Sequence, residues 1–148
     1  MFVGCEKNSN NQSESDCQPF YVPVEFSATI NGRSWEANCG GFGIETIIGT
    51  TDLVLAATSP DFEGIDFLMY DFIGPGTYIF ENDSLLAITQ AGYRTPQGNI
   101  YAAFDGNLTV TNYNSNEMSA IFNFRAHDWA GDTVVITNGT FSNVQRTN

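Results

Sequence analysis

Between Met118 and His127 the chain alternates apolar and polar residues. Met118, Ala120, Phe122, Phe124 and Ala126 form one set, and Ser119, Asn123, Arg125 and His127 the other, with Ile121 the exception. A period of two belongs to a strand with one buried and one wet face. The same pattern organises residues 24–39, where Asn31-Gly32 separates two alternating runs. Asn-Gly suits a two-residue type I′ turn, because both central residues need positive φ. So short a loop fixes the register. The spacing predicts Ile30 opposite Arg33, Ala28 opposite Trp35, Phe26 opposite Ala37 and Val24 opposite Cys39. Each large ring then meets a small partner, as cross-strand packing prefers. The other face pairs Thr29 with Ser34, Ser27 with Glu36 and Glu25 with Asn38, all polar.

The remaining pattern predicts short strands between turn clusters. Residues 39–43, Cys-Gly-Gly-Phe-Gly, are expected to form a flexible corner, and 44–48 with 53–58 a hairpin about Gly49-Thr50-Thr51-Asp52. The turn at 59–64 leads into 65–72, where both alternating sets are apolar, the sign of a strand covered on both faces. Gly74-Pro75-Gly76 turns into a strand at 77–80, residues 81–84 form a loop, and 85–89 is a strand or a single helical turn. Residues 93–98 are a turn region between this segment and two separate strands, 99–104 and 107–113. After the turns at 114–116 and 129–132 comes a last strand, 133–144, in which Asn138-Gly139 is either a bulge or a second tight turn. Frequent turn signals and no convincing amphipathic helix predict an all-β fold. It is expected to be an antiparallel β-sandwich or flattened barrel of about nine to ten strands.

Charge narrows the partners. Five Lys and Arg against seventeen Asp and Glu give a net charge of −12 over 148 residues. That balance argues against nucleic acid, whose backbone needs clustered cations, and against docking on anionic lipid through a basic patch. A cationic partner or Ca²⁺ is permitted, although solubility alone accounts for most acidic surfaces. The twelve Phe indicate a packed core rather than disorder. No apolar run approaches the roughly 20 residues of a membrane span.

The cysteines set an address. Phe2-Val3-Gly4-Cys5 precedes a polar run and resembles a bacterial lipobox, whose Cys is lipidated and becomes the mature N-terminus. Phe stands where Leu is usual, and only four residues precede Cys5, so we expect the start to be the remnant of a longer signal. The alternative is an ordinary N-terminal cysteine. Residues 1–20 then form the lipobox remnant and a polar tether, and 21–146 a single β-domain. Cys17 and Cys39 remain, an even count suited to an oxidising compartment. Either they form a disulfide, or Cys39 is simply a small buried apolar residue.

Reactive chemistry is sparse. His127 with Asp128 is no metal set, because zinc needs three or four ligands at defined spacings. No nucleophile elbow accompanies it. The glycines at 40–43 lack a phosphate-loop pattern. Asp61, Glu63 and Asp66, like Glu81 and Asp83, cluster in turns without an EF-hand pattern, and Asp52 and Asp132 also read as turn formers. We therefore expect no catalytic residues, no metal and no cofactor. Aromatics offer the better hint. Trp35 belongs to the core by register, whereas Trp129 lies in a turn beside Gly131 and is either an exposed platform for a sugar or peptide or a cap on the domain. Tyr93 and Tyr113, near turns, are weaker candidates for binding.

Two segments, Phe26-x-Ala28-x-Ile30-Asn31-Gly32-x-x-Trp35-x-Ala37 and residues 136–144, Ile-Thr-Asn-Gly-Thr-Phe-Ser-Asn-Val, are similar to a signature of uncharacterised small lipoproteins of the Bacteroidota. The resemblance implies a secreted β-domain tethered to a membrane through Cys5, and it carries no catalytic residue. Asp83-Ser84-Leu85 and Asp132-Thr133-Val134 resemble the Asp-[Ser/Thr]-apolar acceptor of protein O-glycosylation in those bacteria, which would place sugars on Ser84 and Thr133. The expectation is a lipid-anchored outer-membrane protein, periplasmic or surface-facing, that binds a glycan, peptide or protein without catalysis. The alternative is a calycin-like barrel carrying a small apolar ligand in a cavity lined by Phe67, Met69, Phe122 and Phe124. A third is a hydrolase using Asp/Glu pairs.

Overall fold

A computed structural model describes residues 22–47, 49–81 and 89–148. Its nine described strands are β1 (Val22–Ile30), β2 (Arg33–Ile47), β3 (Thr50–Thr58), β4 (Gly64–Met69), β5 (Gly76–Ile79), β6 (Thr89–Arg94), β7 (Ile100–Tyr113), β8 (Glu117–His127) and β9 (Thr133–Gln145). All pairings between them are antiparallel. The order β7-β6-β4-β3-β2-β1-β9-β8 closes on itself through β7–β8, so eight strands make a barrel and β5 is added beside it. Of the two architectures the sequence left open, the barrel is the one formed. Closure removes the unpaired edges that a sheet of this length would otherwise expose.

β7 is long enough to serve three neighbours. Its start pairs with β6, Ile100 opposite Arg94, and its later part with β5, Asn107 opposite Ile79 and Val110 opposite Gly76. Its other edge runs along β8. The sequence suggested two strands here. The backbone instead bends at Gly106, φ +122°, and continues. β6 was also missed as a strand, its Tyr93 and Arg94 being read as turn. Gln90-Ala91-Gly92 has little strand propensity, and ladders to β4 on one side and β7 on the other override it.

The first hairpin follows its expected register from Ile30–Arg33 to Phe26–Ala37, and then departs. Pro23, not Val24, lies opposite Cys39, because a bulge inserts one residue between Pro23 and Phe26. Proline has no N–H for the ladder, and a bulge beside it absorbs the mismatch. The expected corner at 39–43 is continuous strand. Gly41 is there for clearance, since a Cβ on it would lie 2.4 Å from Thr147 Cγ2. Arg146 bridges Phe42, and Thr147 N donates to the Phe42 carbonyl at 3.0 Å, so the C-terminal residues lie along β2 beyond the start of β1. The β2–β3 turn is tighter than expected, pairing Ile47 with Thr50. β4 buries Ile65, Phe67 and Met69 but leaves Asp66 and Leu68 half-exposed and Tyr70 exposed, so it is covered on one face only. Asn138-Gly139 is a bulge, Asn138 taking φ +49° as Phe122 pairs with Gly139 and Phe124 with Ile136.

Aromatic rings fill the barrel. Phe26 stacks on Phe141 with centroids 5.0 Å apart, Phe67 meets Phe122 edge-on at 5.0 Å, and Phe67 stacks on Phe80 at 6.0 Å. The apolar sets of β8 and of the first hairpin all face this interior, and Ile121 faces solvent. Because neighbouring strands alternate in direction, the β1–β2, β3–β4, β6–β7 and β8–β9 connections gather at one end, here the loop end. The chain enters β1 at the opposite end, where Val22 pairs with Gly40.

Candidate functional site

The loop end is built on a buried carboxylate. In the β3–β4 loop, Ser59 N donates to the Glu63 carbonyl at 2.8 Å, and the Thr58 and Ser59 hydroxyls donate to the same oxygen at 3.2 Å each. Phe62 takes φ +67°, which turns its own ring outwards into solvent and Glu63 inwards. Glu63 is 2% exposed. Its Oε1 accepts the Tyr93 hydroxyl at 2.5 Å and the Arg33 guanidinium, an ion pair reaching from β2. A charge so placed is tolerable only with such partners. Burial, then the hydrogen bond to Glu63, raise the Tyr93 phenol well above its ordinary value. The hydrogen bond to Glu63 likewise raises Arg33. Beside this group, Arg94 Nη2 donates to the Phe62 carbonyl at 3.0 Å. Asp66, one strand face away, is raised by burial, with Arg94 acting in the opposite direction.

A second feature stands at the β8–β9 turn. Asp128 Oδ1 accepts the Ala130 N–H at 3.0 Å and the Asp132 N–H at 2.9 Å, while Asp128 N donates to the Asp132 carbonyl at 3.0 Å. This local network holds Trp129 at the tip, fully exposed. The turn is tied to the first hairpin by Asn31, whose N–H donates to the Val135 carbonyl at 2.9 Å and whose Oδ1 accepts the Val135 N–H at 2.8 Å. Asn31 was read from sequence for its turn conformation alone; its second role, stitching β1 to β9, depends on a pairing the sequence does not reveal.

The sequence candidates separate in space. Trp129 is fully exposed and does not fold back to cap the domain. Tyr93 is buried with its hydroxyl on Glu63, so it is a wall of the loop end and offers no free face. Tyr113 lies at the entry end, half-buried, its ring 4.8 Å from Phe72 and 6.2 Å from Phe42. Thr133 is exposed at the start of β9, opposite His127. His127 is exposed, its ring 5.3 Å from Phe104. Cys39 is fully buried and disulfide-bonded. Cys5, Cys17 and Ser84 lie outside the described residues, and the Cys17 half of the expected bridge with them. Glu63, Arg33 and Tyr93 come from three strands or loops about 30 residues apart, and only the presence of acids in a turn hinted at them. Among the described residues, no group of three His, Cys, Asp or Glu is placed to hold a metal ion.

A family model described as a domain of unknown function, DUF6252, matches residues 23–145. The chain belongs to the DUF6252 family. No curated protein and no solved structure matches it. The DUF6252 match runs from β1 to the end of β9, and so takes in the whole barrel together with every loop of the loop end.

Proposed function

We propose that this DUF6252 domain is a non-enzymatic binding module of the cell envelope. In this reading it is tethered to the outer membrane through lipid on Cys5 and takes a glycan, peptide or protein at its loop end. The observation that carries the reading is Trp129, a fully exposed indole on a turn held rigid by Asp128. An indole presented in this way offers a flat apolar face and an N–H donor to a ligand. The tether is consistent with this placement. The chain enters the barrel at the end opposite Trp129, so attachment through the N-terminal segment leaves the loop end directed away from the membrane. The acidic balance weighs against nucleic acid as the partner.

The reading includes no catalytic step. Glu63 is held by Arg33 and Tyr93, and His127 sits against Phe104 with no carboxylate side chain bonded to its ring among the described residues. The closed barrel keeps the apolar-carrier alternative in view, but Phe67, Met69, Phe122 and Phe124, which would line its cavity, are packed against one another and the neighbouring rings. Two measurements test the proposal. Intact mass of the protein from its native cells should show a lipid-sized increment on a chain starting at Cys5; a bare chain refutes the anchor. Trp129→Ala should abolish or weaken binding to an envelope glycan or peptide captured by the wild-type domain, and unchanged binding removes Trp129 from the site.

A further inference from the structure

Three exposed apolar side chains line up across the loop end. His127 of β8 stands opposite Ala102 of β7, and two residues beyond that pair the two chains carry Trp129 and Ile100. Ile100 stands opposite Arg94 of β6, which in turn stands opposite Gly64 of β4. Arg94 Nη2 reaches the Phe62 carbonyl at 3.0 Å, which puts Phe62 at the far end of the same row. Trp129, Ile100 and Phe62 are 103%, 65% and 49% exposed, and no other Phe or Trp among the described residues is exposed. Neighbouring strands lie about 4.8 Å apart, so the three steps from β4 to β8 span about 14 Å, roughly four residues of extended chain. Each loop under the row is braced. Asp128 holds the β8–β9 turn and the Ser59–Glu63 bonds hold the β3–β4 loop. In the β6–β7 loop, Gly98 N donates to the Thr95 carbonyl at 2.9 Å and Asn99 N to the Thr95 hydroxyl at 3.1 Å. A surface already held in place loses little freedom when a ligand covers it.

Charge selects the occupant. Asp61 adjoins Phe62 at one end of the row, and Asp128 and Asp132 flank Trp129 at the other. None of the three is in an ion pair among the described residues. The nearby cations are engaged: Arg33 is bonded to Glu63, and Arg94 donates to the Phe62 carbonyl. We propose that this row docks an extended segment of another protein, rich in both large apolar side chains and Lys or Arg. Its apolar side chains cover Phe62, Ile100 and Trp129, and its long cationic side chains reach sideways to the carboxylates at either end. A single sugar would cover one of the three and leave the others in water. A second copy would bring the same carboxylates, and an anionic membrane its phosphates, against a chain of net charge −12. The proposal rests on the reading of the loop end as a binding face, and selects a basic, apolar peptide segment among its ligands.

The test follows the indole N–H signals of the ¹⁵N-labelled full chain. The sequence holds two Trp, so two side-chain cross-peaks are expected, and Trp129→Ala assigns them. Three capped heptapeptides are titrated: Lys-Leu-Lys-Phe-Lys-Leu-Lys, the same peptide with Glu for every Lys, and the same peptide with Ser for every apolar residue. The expected result is a saturable shift of the Trp129 peak with the first, and binding at least about tenfold weaker for the other two. Ile100→Ser should weaken the first by about tenfold, and Asp132→Asn by about two- to fourfold, a loss that disappears at high salt. Both side chains are exposed, and the turn uses only the backbone of Asp132, so the rest of the spectrum should stay in place. A Trp129 peak that the basic apolar peptide does not move overturns the proposal, as does equal binding of the Glu peptide or unchanged affinity in Ile100→Ser. Glucose, mannose and phosphatidylcholine vesicles are titrated alongside. A Trp129 peak moved by a sugar and by no peptide overturns this inference and leaves the loop end standing as a binding face. A peak moved by the vesicles alone overturns both, since the tip would then face a membrane.

Discussion

Replacing Gly139 by Ala should damage the core from the outside in. Gly139 sits in the β9 bulge opposite Phe122, whose ring lies flat over it. A Cβ at Gly139 would be 2.3 Å from Cε2, 2.4 Å from Cδ2 and 2.5 Å from Cζ of that ring. Carbon atoms rest about 3.5–4.0 Å apart, so the overlap exceeds about 1 Å at three atoms at once. The ring has nowhere to retreat, because its centroid is already 5.0 Å from that of Phe67, 5.4 Å from Phe26 and 6.3 Å from both Phe124 and Phe141. The substitution should therefore reach the upper part of the overpacking range, about 3 kcal/mol. For a domain of this size that is about 12 °C in Tm. Phe122→Leu alone should cost about 1–2 kcal/mol as a large-to-small change. It also opens the space a methyl at 139 needs, so the double variant should be more stable than the sum of the singles by about 1.5 kcal/mol or more. Urea and thermal unfolding followed by circular dichroism measure all four proteins. A near-neutral Gly139→Ala, or strict additivity with Phe122→Leu, would refute the argument that the ring and the glycine are one packing unit.

Three further outcomes follow from groups already placed. The Tyr93 phenol is raised by burial and Glu63, so its stabilisation is fully present below the unfolded tyrosine value of about 10 and is lost as pH climbs towards the folded value. Wild-type stability should fall more steeply above about pH 10 than that of Tyr93→Phe, by up to about 1.4 kcal/mol per pH unit, and parallel curves would contradict the assignment. Asp66 is raised by burial against the pull of Arg94. The folded chain therefore favours its protonated form, and the charge it carries at neutral pH is a net cost. Asp66→Asn should raise the urea midpoint at pH 7 and lose that advantage near pH 3; a lower midpoint at pH 7 would mean that Arg94 outweighs burial. Cys39 is disulfide-bonded, and if Cys17 is its partner, Cys17→Ser should remove the two-proton mass gain on reduction and cost about 3 kcal/mol for a loop of roughly 22 residues. A mass gain that persists in the variant assigns the bond elsewhere.

Much of the fold was legible because its signals are local. The Asn31-Gly32 turn specifies a register that holds as far as Phe26 opposite Ala37, and the alternation from Met118 to Ala126 specifies a buried face that holds throughout. What escaped was set by partners distant in sequence. Residues 39–43 read as a corner because nothing nearby announces that Thr147 will pack on Gly41. β6 read as turn because its strandedness is imposed by β4 and β7. The break expected between 104 and 107 is a bend in one strand, since Gly106 looks the same in a loop and in a bent ladder. The loop end shows the same division. Trp129 stood out in its turn as a ring without a core register, whereas Glu63, Arg33 and Tyr93 form one group only after β2, β4 and β6 are brought together.

The packed interior also bears on where a function can lie. A barrel whose lumen is filled by Phe26, Phe67, Phe80, Phe122, Phe124 and Phe141 leaves its ends and outer wall as the surfaces open to a ligand. The two ends differ. At the entry end, Tyr113 and Phe72 are turned into one another, and the C-terminal residues are laid along β2. At the loop end, Trp129 and Phe62 are turned outwards, while Glu63 is turned inwards onto Arg33 and Tyr93. Covering the outward aromatics would gain apolar burial. The loop end therefore has apolar free energy to gain from a surface laid across its tip.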